Sequence, residues 1–178
     1  MSYSLASKES PDLTAEPIHV LVVDDDTQWA SLIATDIEHE AEQIDVTVTG
    51  SARECVDTFQ ARDDIDCLIS DYQMPGQTGI ELLEQIRERH PRLPFLLVTS
   101  QGSETVAARA IEAGVSDYLV KEFGDEQVTK FVDKIRRAVT HYRLQEALEA
   151  SEQRYRTVTE QSRDAIAILR YEQVRATD

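Results

Sequence analysis

Three adjacent aspartates, Asp24, Asp25 and Asp26, directly follow the first long apolar run of the chain, Ile18 to Val23. Ionised carboxylates at the end of a buried strand are costly unless water, a cation such as Mg²⁺ or a lysine faces them. Open α/β sheets bind their ligands at the carboxyl ends of the strands. The triplet therefore predicts a cation-binding site at such an edge.

Asp71, Thr99 and Lys121 each directly follow another short apolar run. If these runs are parallel strands, their ends meet at one edge of the sheet, and carboxylates, a hydroxyl and an ammonium share one cleft. Mg²⁺ prefers oxygen ligands and would neutralise the carboxylates, so that one of them could attack phosphorus. Thr99 and Lys121 would hold the phosphoryl oxygens. The constellation predicts phosphoryl-group chemistry.

The elements that would position these groups alternate along the chain. Apolar runs predict strands at 18–23, 45–49, 66–70, 94–99 and 117–120, and amphipathic stretches predict helices near 28–41, 52–60, 78–90, 103–113 and from about 125. Thr78 and Ser103 are suited to cap the third and fourth helices, Pro91 to end the third and Gly114 to end the fourth. This alternation predicts an α/β fold with a doubly wound, parallel five-stranded sheet built from right-handed βαβ units.

The last helix is predicted to extend beyond the sheet, because no Gly or Pro occurs from Asp125 to about Glu160. Its first part carries an apolar stripe suited to lie on the sheet: Val128, Phe131, Val132, Ile135, Ala138, Val139 and Tyr142. Similar spacing then continues through Leu144, Leu148, Tyr155 and Val158. We interpret the extension as a signalling helix that pairs with a second copy. The alternative is a single long terminal helix.

The charge of the chain is uneven. Residues 1–124 hold 24 acidic and 8 basic side chains, a net charge of -16, whereas residues 125–178 hold 10 of each. The acidic part would repel phosphates, which disfavours nucleic-acid binding. Four lysines against 14 arginines on an acidic surface are typical of salt-loving archaea, where salt screens the self-repulsion. An ordinary acidic cytosolic protein is the alternative.

Several segments and side chains have expected structural roles. Residues 1–16 are polar and lack the apolar region of a secretory signal, so they are expected to form a disordered leader. No apolar stretch is long enough to cross a membrane, and we expect a cytoplasmic protein with no membrane partner. Cys55 and Cys67 lack metal-binding spacing and are expected in the core, and Trp29 is expected to be a packing residue on the first helix.

Over about residues 17–140 the chain resembles the receiver domains of two-component response regulators. The motifs that carry the resemblance are Val22-Val23-Asp24-Asp25, Asp71-Tyr72-Gln73-Met74-Pro75-Gly76 with Gly79, Val98-Thr99-Ser100, and Asp117-Tyr118-Leu119-Val120-Lys121. Each motif alone is weak, but four in order at predicted strand ends are specific. The resemblance implies a flavodoxin-like (βα)5 fold and Mg²⁺-dependent transfer of a phosphoryl group from a histidine kinase or phosphotransfer protein. It also implies that the chain carries no kinase catalytic domain and catalyses only its own phosphorylation and dephosphorylation.

Carried over by position, the resemblance gives Asp71 the role of phosphoacceptor. Asp24 and Asp25 would be the acidic pair, with Asp25 a direct Mg²⁺ ligand and Asp24 acting mostly through water. Asp71 and the backbone carbonyl of Gln73 would complete the metal site. Asp26 falls where the family is variable, and we interpret it as a charge at the start of the first helix.

The resemblance implies a switch made of three further residues. Thr99 would be the switch hydroxyl, Lys121 the counter-ion of the phosphoryl group, and Tyr118 the aromatic residue that turns inward on activation. Glu122 departs from the family, which usually has Pro there, often after a cis bond. A cis bond without Pro costs about 3 kcal/mol, so the family's loop geometry after Lys121 is not carried over.

The tail resembles the entry helix and first strand of a PAS sensor domain, at 148–156 and 164–169. The match is too short for a whole PAS domain and predicts a truncated stub. The predicted organisation is a leader at 1–16, a receiver domain at 17–140, a signalling helix or linker at 141–160 and the PAS-like stub at 161–178. This order resembles haloarchaeal receiver–PAS proteins.

Two other functions are open alternatives. A phosphohydrolase of the haloacid dehalogenase type also uses a strand-end Asp, Mg²⁺ and a Lys, and Asp24 with Asp26 imitates its Asp-x-Asp motif. However, Gln28 stands where that family has Thr or Val, and Asp71 is left unexplained. The second alternative is a receiver-like interaction module that is not phosphorylated.

Overall fold

The computed structural model describes residues 16–100, 102–122 and 124–175, with the backbone alone for residue 125 and residues 157–175. The strands in chain order are β1 Ile18–Val23, β2 Ile44–Thr49, β3 Cys67–Asp71, β4 Gln73–Met74, β5 Gln77–Thr78, β6 Phe95–Thr99 and β7 Asp117–Val120. The helices are α1 Thr27–Glu40, α2 Ala52–Ala61, α3 Gly79–Arg87, α4 Glu104–Ala113 and α5 Asp125–Arg175.

Five of the strands form a parallel sheet in the order β2-β1-β3-β6-β7, and β4 pairs with β5 as a small antiparallel ribbon. The strand order reverses between β1 and β3, and in sheets of this kind such a reversal opens a crevice at the carboxyl ends of the strands. The central strands are continuous apolar runs because helices cover both of their faces. The predicted doubly wound α/β fold is confirmed.

Two apolar clusters, one on each face of the sheet, fix the helices. On one face α1 and α5 pack against β1, β3 and β6, with Phe131 and Ile135 of α5 fully buried. On the other face α2, α3 and α4 pack, with Leu82 and Leu83 of α3 fully buried. Cys55 and Cys67 are buried free thiols, as expected.

The predicted helix ends hold with two exceptions. Thr78 caps α3 in a reciprocal capping box with Glu81, and Gly114 ends α4 in the left-handed region at φ 83°. Ser103 precedes α4 but makes no side-chain cap bond. The third helix ends at Arg87 rather than at 90, because the residue before Pro91 is disfavoured in the helical region.

The expectation of a PAS-like strand at 164–169 is wrong. These residues lie within α5, which extends to Arg175. A strand must pair its backbone with a neighbour, and the described chain has no strand after β7, whereas a helix satisfies its backbone within itself. The chain divides into two compact units, one ending at Tyr142 and the other beginning at Arg143. In the described residues no helix is long and apolar enough to cross a bilayer.

Candidate functional site

The first carboxylate of the site is Asp24, at the carboxyl end of β1, and it is 1% exposed. One of its oxygens accepts a hydrogen bond from the Asp26 backbone N–H at 2.9 Å, and the other accepts one from Lys121 Nζ at 2.5 Å. Burial raises the pKa of Asp24, and the Lys121 ammonium opposes this shift. Asp24 is thus a buried carboxylate whose oxygens both have donors.

The second buried carboxylate is Asp71, the last residue of β3, which is 6% exposed. Its Oδ1 lies 2.7 Å from Lys121 Nζ, and its Oδ2 accepts a hydrogen bond from the Gln73 backbone N–H at 2.6 Å. Gly79, at the start of α3, packs directly on it, and a Cβ there would collide with the Asp71 carbonyl oxygen. Asp71 is held rigidly on its backbone side, because no larger residue fits at Gly79.

Lys121 directly follows β7 and joins the two carboxylates through the ion pairs with Asp24 and Asp71. Its side chain is 15% exposed. Burial lowers the pKa of the ammonium, but the hydrogen bonds and charges of Asp24 and Asp71 outweigh burial, and the pKa ends above its usual value. The site therefore holds a permanent cation between its two buried acids.

Three carboxylates of the site could hold a metal ion. Asp24, Asp25 and Asp71 each offer an oxygen, and these oxygens lie within 4.8 Å of one another. Asp25 is exposed at the mouth of the site, and the Asp71 hydrogen bond brings the Gln73 backbone to the same cluster. Hard oxygen donors of this kind fit Mg²⁺, which also keeps several of its waters.

The structure brings Thr99 to the same edge. Thr99 ends β6, is 4% exposed, and accepts a backbone hydrogen bond from the Lys121 N–H at 2.7 Å. Tyr118 lies in β7 and packs against the apolar cluster of the α2–α4 face. Its hydroxyl oxygen is buried without a hydrogen-bond partner among the described residues. Within the part of the chain that the structure describes, Tyr118 is therefore the one named site residue with a buried, unpaired polar atom.

Asp26 has the structural role expected of it. It is the N-cap of α1, and its carboxylate accepts a hydrogen bond from the Trp29 backbone N–H at 3.0 Å. It is not among the three residues whose oxygens could share a metal ion. The aspartate triplet therefore divides into two metal-ligand candidates and one helix cap.

One further residue, Trp29, contacts the site and was not expected to do so. The half-buried Trp29 ring lies beneath the Lys121 ammonium, with Nζ 4.4 Å from the ring centroid. Glu122, which stands where the family usually has Pro, pairs instead with Lys130 of α5 at 2.8 Å. The described residues contain no cis peptide bond. The sequence signal for Trp29 is its place in the first turn of α1, just beyond the aspartates.

A family model described as "Response regulator receiver domain" matches residues 20–133 of the chain. The chain is 33% identical over 137 residues to the "DNA-binding transcriptional regulator NtrC" of Escherichia coli (strain K12). That match covers 71% of this chain and 26% of NtrC, so the chain spans about a quarter of the length of this relative.

Solved structures agree with this match. A response regulator receiver domain protein from Clostridium thermocellum superposes with a TM-score of 0.65 at 24% identity, covering 71% of this chain and 98% of that chain. The receiver domain of Francisella response regulator 1452 superposes with a TM-score of 0.62 at 26% identity, covering 70% of this chain and 98% of that chain. The first likeness concerns the fold alone.

Proposed function

This chain belongs to the response regulator receiver family, and we propose that it is a phosphorylatable switch whose phosphoacceptor is Asp71. One observation carries the proposal: Asp71 is buried at a strand end, bonded to Lys121 and the Gln73 N–H, within metal-sharing distance of Asp24 and Asp25. A carboxylate fixed in this way is a nucleophile with its counter-charges already in place.

In the proposed reaction an Asp71 carboxylate oxygen attacks the phosphorus of a phosphohistidine on a histidine kinase or phosphotransfer protein. The P–O bond forms, the P–N bond breaks, and the donor imidazole keeps the electron pair. Asp24, Asp25, Asp71 and the Gln73 carbonyl would hold Mg²⁺, which when bound supplies positive charge to offset that of the phosphoryl oxygens. Attack of water on the same phosphorus would return Asp71 to its free form.

Lys121 and Thr99 would bind the oxygens of the new phosphoryl group. The Lys121 ammonium already contacts Asp71 and can pair with a phosphoryl oxygen, and the Thr99 hydroxyl would donate a hydrogen bond to another. Tyr118, with its unpaired hydroxyl, would reorient together with Thr99. The surface formed by α4, β7 and α5 would then change and bind a protein partner rather than nucleic acid.

The direct test is phosphorylation of the full chain by acetyl phosphate in molar KCl, with and without Mg²⁺, followed by intact-mass measurement. We expect a Mg²⁺-dependent phosphoryl adduct that Asp71→Asn abolishes. Asp63→Asn is the matched control, since Asp63 is exposed and lies away from the site, and it should leave the adduct unchanged. An adduct that survives Asp71→Asn would refute the assignment. Turnover of a small phosphate ester would instead favour a phosphohydrolase.

We also propose that α5 pairs with that of a second copy. Leu144, Leu148 and Tyr155 are 53%, 60% and 74% exposed, and they recur at the spacing of a coiled-coil seam. Light scattering of the full chain should give a dimer that Leu148→Glu dissociates. Ala150→Glu adds the same charge two residues further along the helix and should leave the dimer intact. Equal masses for wild type and Leu148→Glu would contradict the pairing.

The proposal extends to a cytoplasmic protein of a salt-loving archaeon, with a receiver at 17–140, a signalling helix at 141–160 and a PAS-related remnant at 161–178. The excess of 24 acidic over 8 basic side chains in residues 1–124 supports the salt adaptation. If it holds, molar KCl should raise the thermal midpoint well above its value in dilute buffer, because salt screens the self-repulsion. A midpoint independent of KCl would contradict it.

A further inference from the structure

Lys121 has a third neighbour besides the two carboxylates. Its Nζ lies 4.4 Å from the centroid of the Trp29 ring, within the range at which an ammonium is attracted by an aromatic face. The Trp29 ring is therefore a third group in contact with the ammonium, beside the Asp24 and Asp71 carboxylates. Because the lysine side chain is only 15% exposed, this boundary also limits its access to water.

Trp29 is itself held both at its backbone and at its ring. Its backbone N–H donates to the Asp26 carboxylate in the cap of α1, which fixes the first turn of the helix. Its ring packs on Phe131 of α5, with centroids 6.3 Å apart and an angle of 58° between the planes. Phe131 is fully buried. The cap thus holds the Trp29 backbone, and the contact with the buried Phe131 ring places the Trp29 side chain beside the cation.

The residue after Lys121 has an ion pair of its own. Glu122 stands in the loop where receiver domains usually have proline, and its ion pair is directed to Lys130 on α5. That contact fixes Glu122 rather than the side chain of Lys121. Among the described residues, the contacts that position the Lys121 ammonium itself are those with Asp24, Asp71 and the Trp29 ring.

We propose that Trp29 is a positioning residue that keeps the Lys121 ammonium within reach of the phosphoryl group on Asp71. The inference rests on the proposed phosphoacceptor function. A lysine side chain has four rotatable bonds and loses much rotamer freedom when it is held in one place. The aromatic face offsets part of that loss before the phosphoryl group arrives, so the ammonium needs only a short movement to pair with it.

The test compares rates of phosphorylation of the full chain by acetyl phosphate at saturating Mg²⁺. Trp29→Leu keeps apolar bulk but removes the aromatic face, and it should slow the reaction roughly three- to tenfold. Trp29→Phe keeps an aromatic face and should recover most of that loss. Leu32→Ala is the control: Leu32 lines the same surface groove as Trp29, is 58% exposed, and its loss should leave the rate within about twofold.

Two outcomes would overturn the proposal. One is a Trp29→Leu rate equal to that of the wild type or of Trp29→Phe, because the aromatic face would then contribute nothing. The other appears in a double-mutant cycle with Lys121→Ala, followed over long incubations. Trp29→Leu should have no further effect once the ammonium is gone, and an undiminished effect would show that Trp29 acts on the fold.

Failure of this proposal is distinct from failure of the proposed function. If wild type forms no Mg²⁺-dependent adduct on Asp71, the phosphoacceptor function itself is wrong. If wild type forms the adduct and the Trp29 variants behave like it, only the role of Trp29 is wrong. Unfolding midpoints of all variants, measured by circular dichroism, identify any rate loss that comes from a partly unfolded chain.

Discussion

Helices α3 and α4 pack against each other on the same face of the sheet, yet they are anchored very differently. α3 buries five of its nine residues and begins with the capping box of Thr78 and Glu81. α4 buries only Ala110 of its ten described residues, and Ser103 at its start makes no side-chain cap bond. α3 is thus capped and well packed, whereas α4 is packed against the fold through a single buried residue.

The difference in anchoring between α3 and α4 corresponds to the two sides of the site, the Asp71 side and the Thr99 side. α3 begins at Gly79, which packs closely on the Asp71 backbone, so the Asp71 side of the site leaves no space for a larger residue. α4 follows the strand that ends at Thr99, so the helix beyond the proposed switch hydroxyl is the weakly held one. Elements that move in switching come from the low-stability end of a structure. In the proposed switch, the fold thus separates the phosphoacceptor, which a well-packed helix holds, from α4, which buries only one residue.

The weakly held helix is nevertheless anchored at its far end. The Arg87 guanidinium, from the last turn of α3, donates hydrogen bonds to the carbonyls of Leu93 at 2.7 Å, Gly114 at 3.0 Å and His90 at 3.2 Å. Gly114 is the cap residue at the end of α4. Arg87 thus holds the end of α4 while its beginning is left without a side-chain cap, which suits a helix that pivots about its C-terminal end.

The largest expected effect tests the anchoring of α3. Gly79→Ala should destabilise the fold by about 3 kcal/mol, because the new Cβ would meet the Asp71 carbonyl oxygen, with Leu97 Cδ1 at 2.7 Å and Ser70 Oγ at 2.9 Å. Gly102→Ala, just before α4, is the matched control, where the nearest atom to a Cβ is Val120 Cγ2 at 3.3 Å. It should cost less than about 1 kcal/mol. Urea unfolding measures the loss of unfolding free energy in both variants. Equal losses would show that α3 is not packed more tightly at its start than α4.

The second-largest effect is expected at Arg87, whose side chain anchors the end of α4. Arg87→Met keeps the apolar stem but removes the guanidinium donor from three carbonyls, and it should cost about 2 kcal/mol in unfolding free energy. Arg89→Met removes an exposed charge two residues away and should cost less than about 0.5 kcal/mol. Amide exchange should also accelerate at the end of α4 in Arg87→Met. An unchanged rate of amide exchange at the end of α4 would show that Arg87 does not anchor it.

The two N-caps give a smaller contrast. Thr78→Ala removes a hydroxyl that caps α3 and should cost about 1 kcal/mol. Ser103→Ala removes a hydroxyl that makes no cap bond and should cost no more than about 0.3 kcal/mol. Both variants delete a hydroxyl at the N-cap position, and Thr78→Ala also deletes a methyl group. A Ser103 cost as large as that of Thr78 would mean that α4 is capped after all.

The smallest effect is expected at Tyr118, beside α4. Its buried hydroxyl has no partner among the described residues, so Tyr118→Phe removes a group that was desolvated without a bond. The unfolding free energy should change by less than about 0.5 kcal/mol, and a gain in stability is the favoured direction. A loss of about 1 kcal/mol in thermal or urea unfolding would instead mean that the hydroxyl is bonded in solution.

Much of the fold and of the site could be predicted because both depend on local pattern. Apolar runs located all five strands of the main sheet to within one residue, and the polar residue after each run marked the edge where Asp24, Asp71, Thr99 and Lys121 lie. Parallel topology alone brings those ends together. The roles of these residues in phosphoryl transfer still rest on the experiments proposed above.

The features that escaped prediction depend on contacts between distant segments or on competition between structures. The ring of Trp29 meets Lys121 only because the start of α1 and the loop after β7 both lie at the carboxyl edge of the sheet, a proximity that no local pattern encodes. The 164–169 segment is an unbroken apolar run after Asp164, as a buried strand can be, but its Ala and Leu residues also favour a helix, and without a pairing strand the helix forms. Ser103 has the right residue type for a cap but not the bond.

The contact between Trp29 and Lys121 has a practical consequence, because Trp29 is the single tryptophan of the chain. All of its indole fluorescence therefore comes from a ring 4.4 Å from the ammonium. Any event that moves the cation changes the field at that ring and, with it, the emission. The wild-type protein thus contains an unlabelled optical reporter, suited to stopped-flow measurement of how fast the lysine responds when a phosphoryl group arrives.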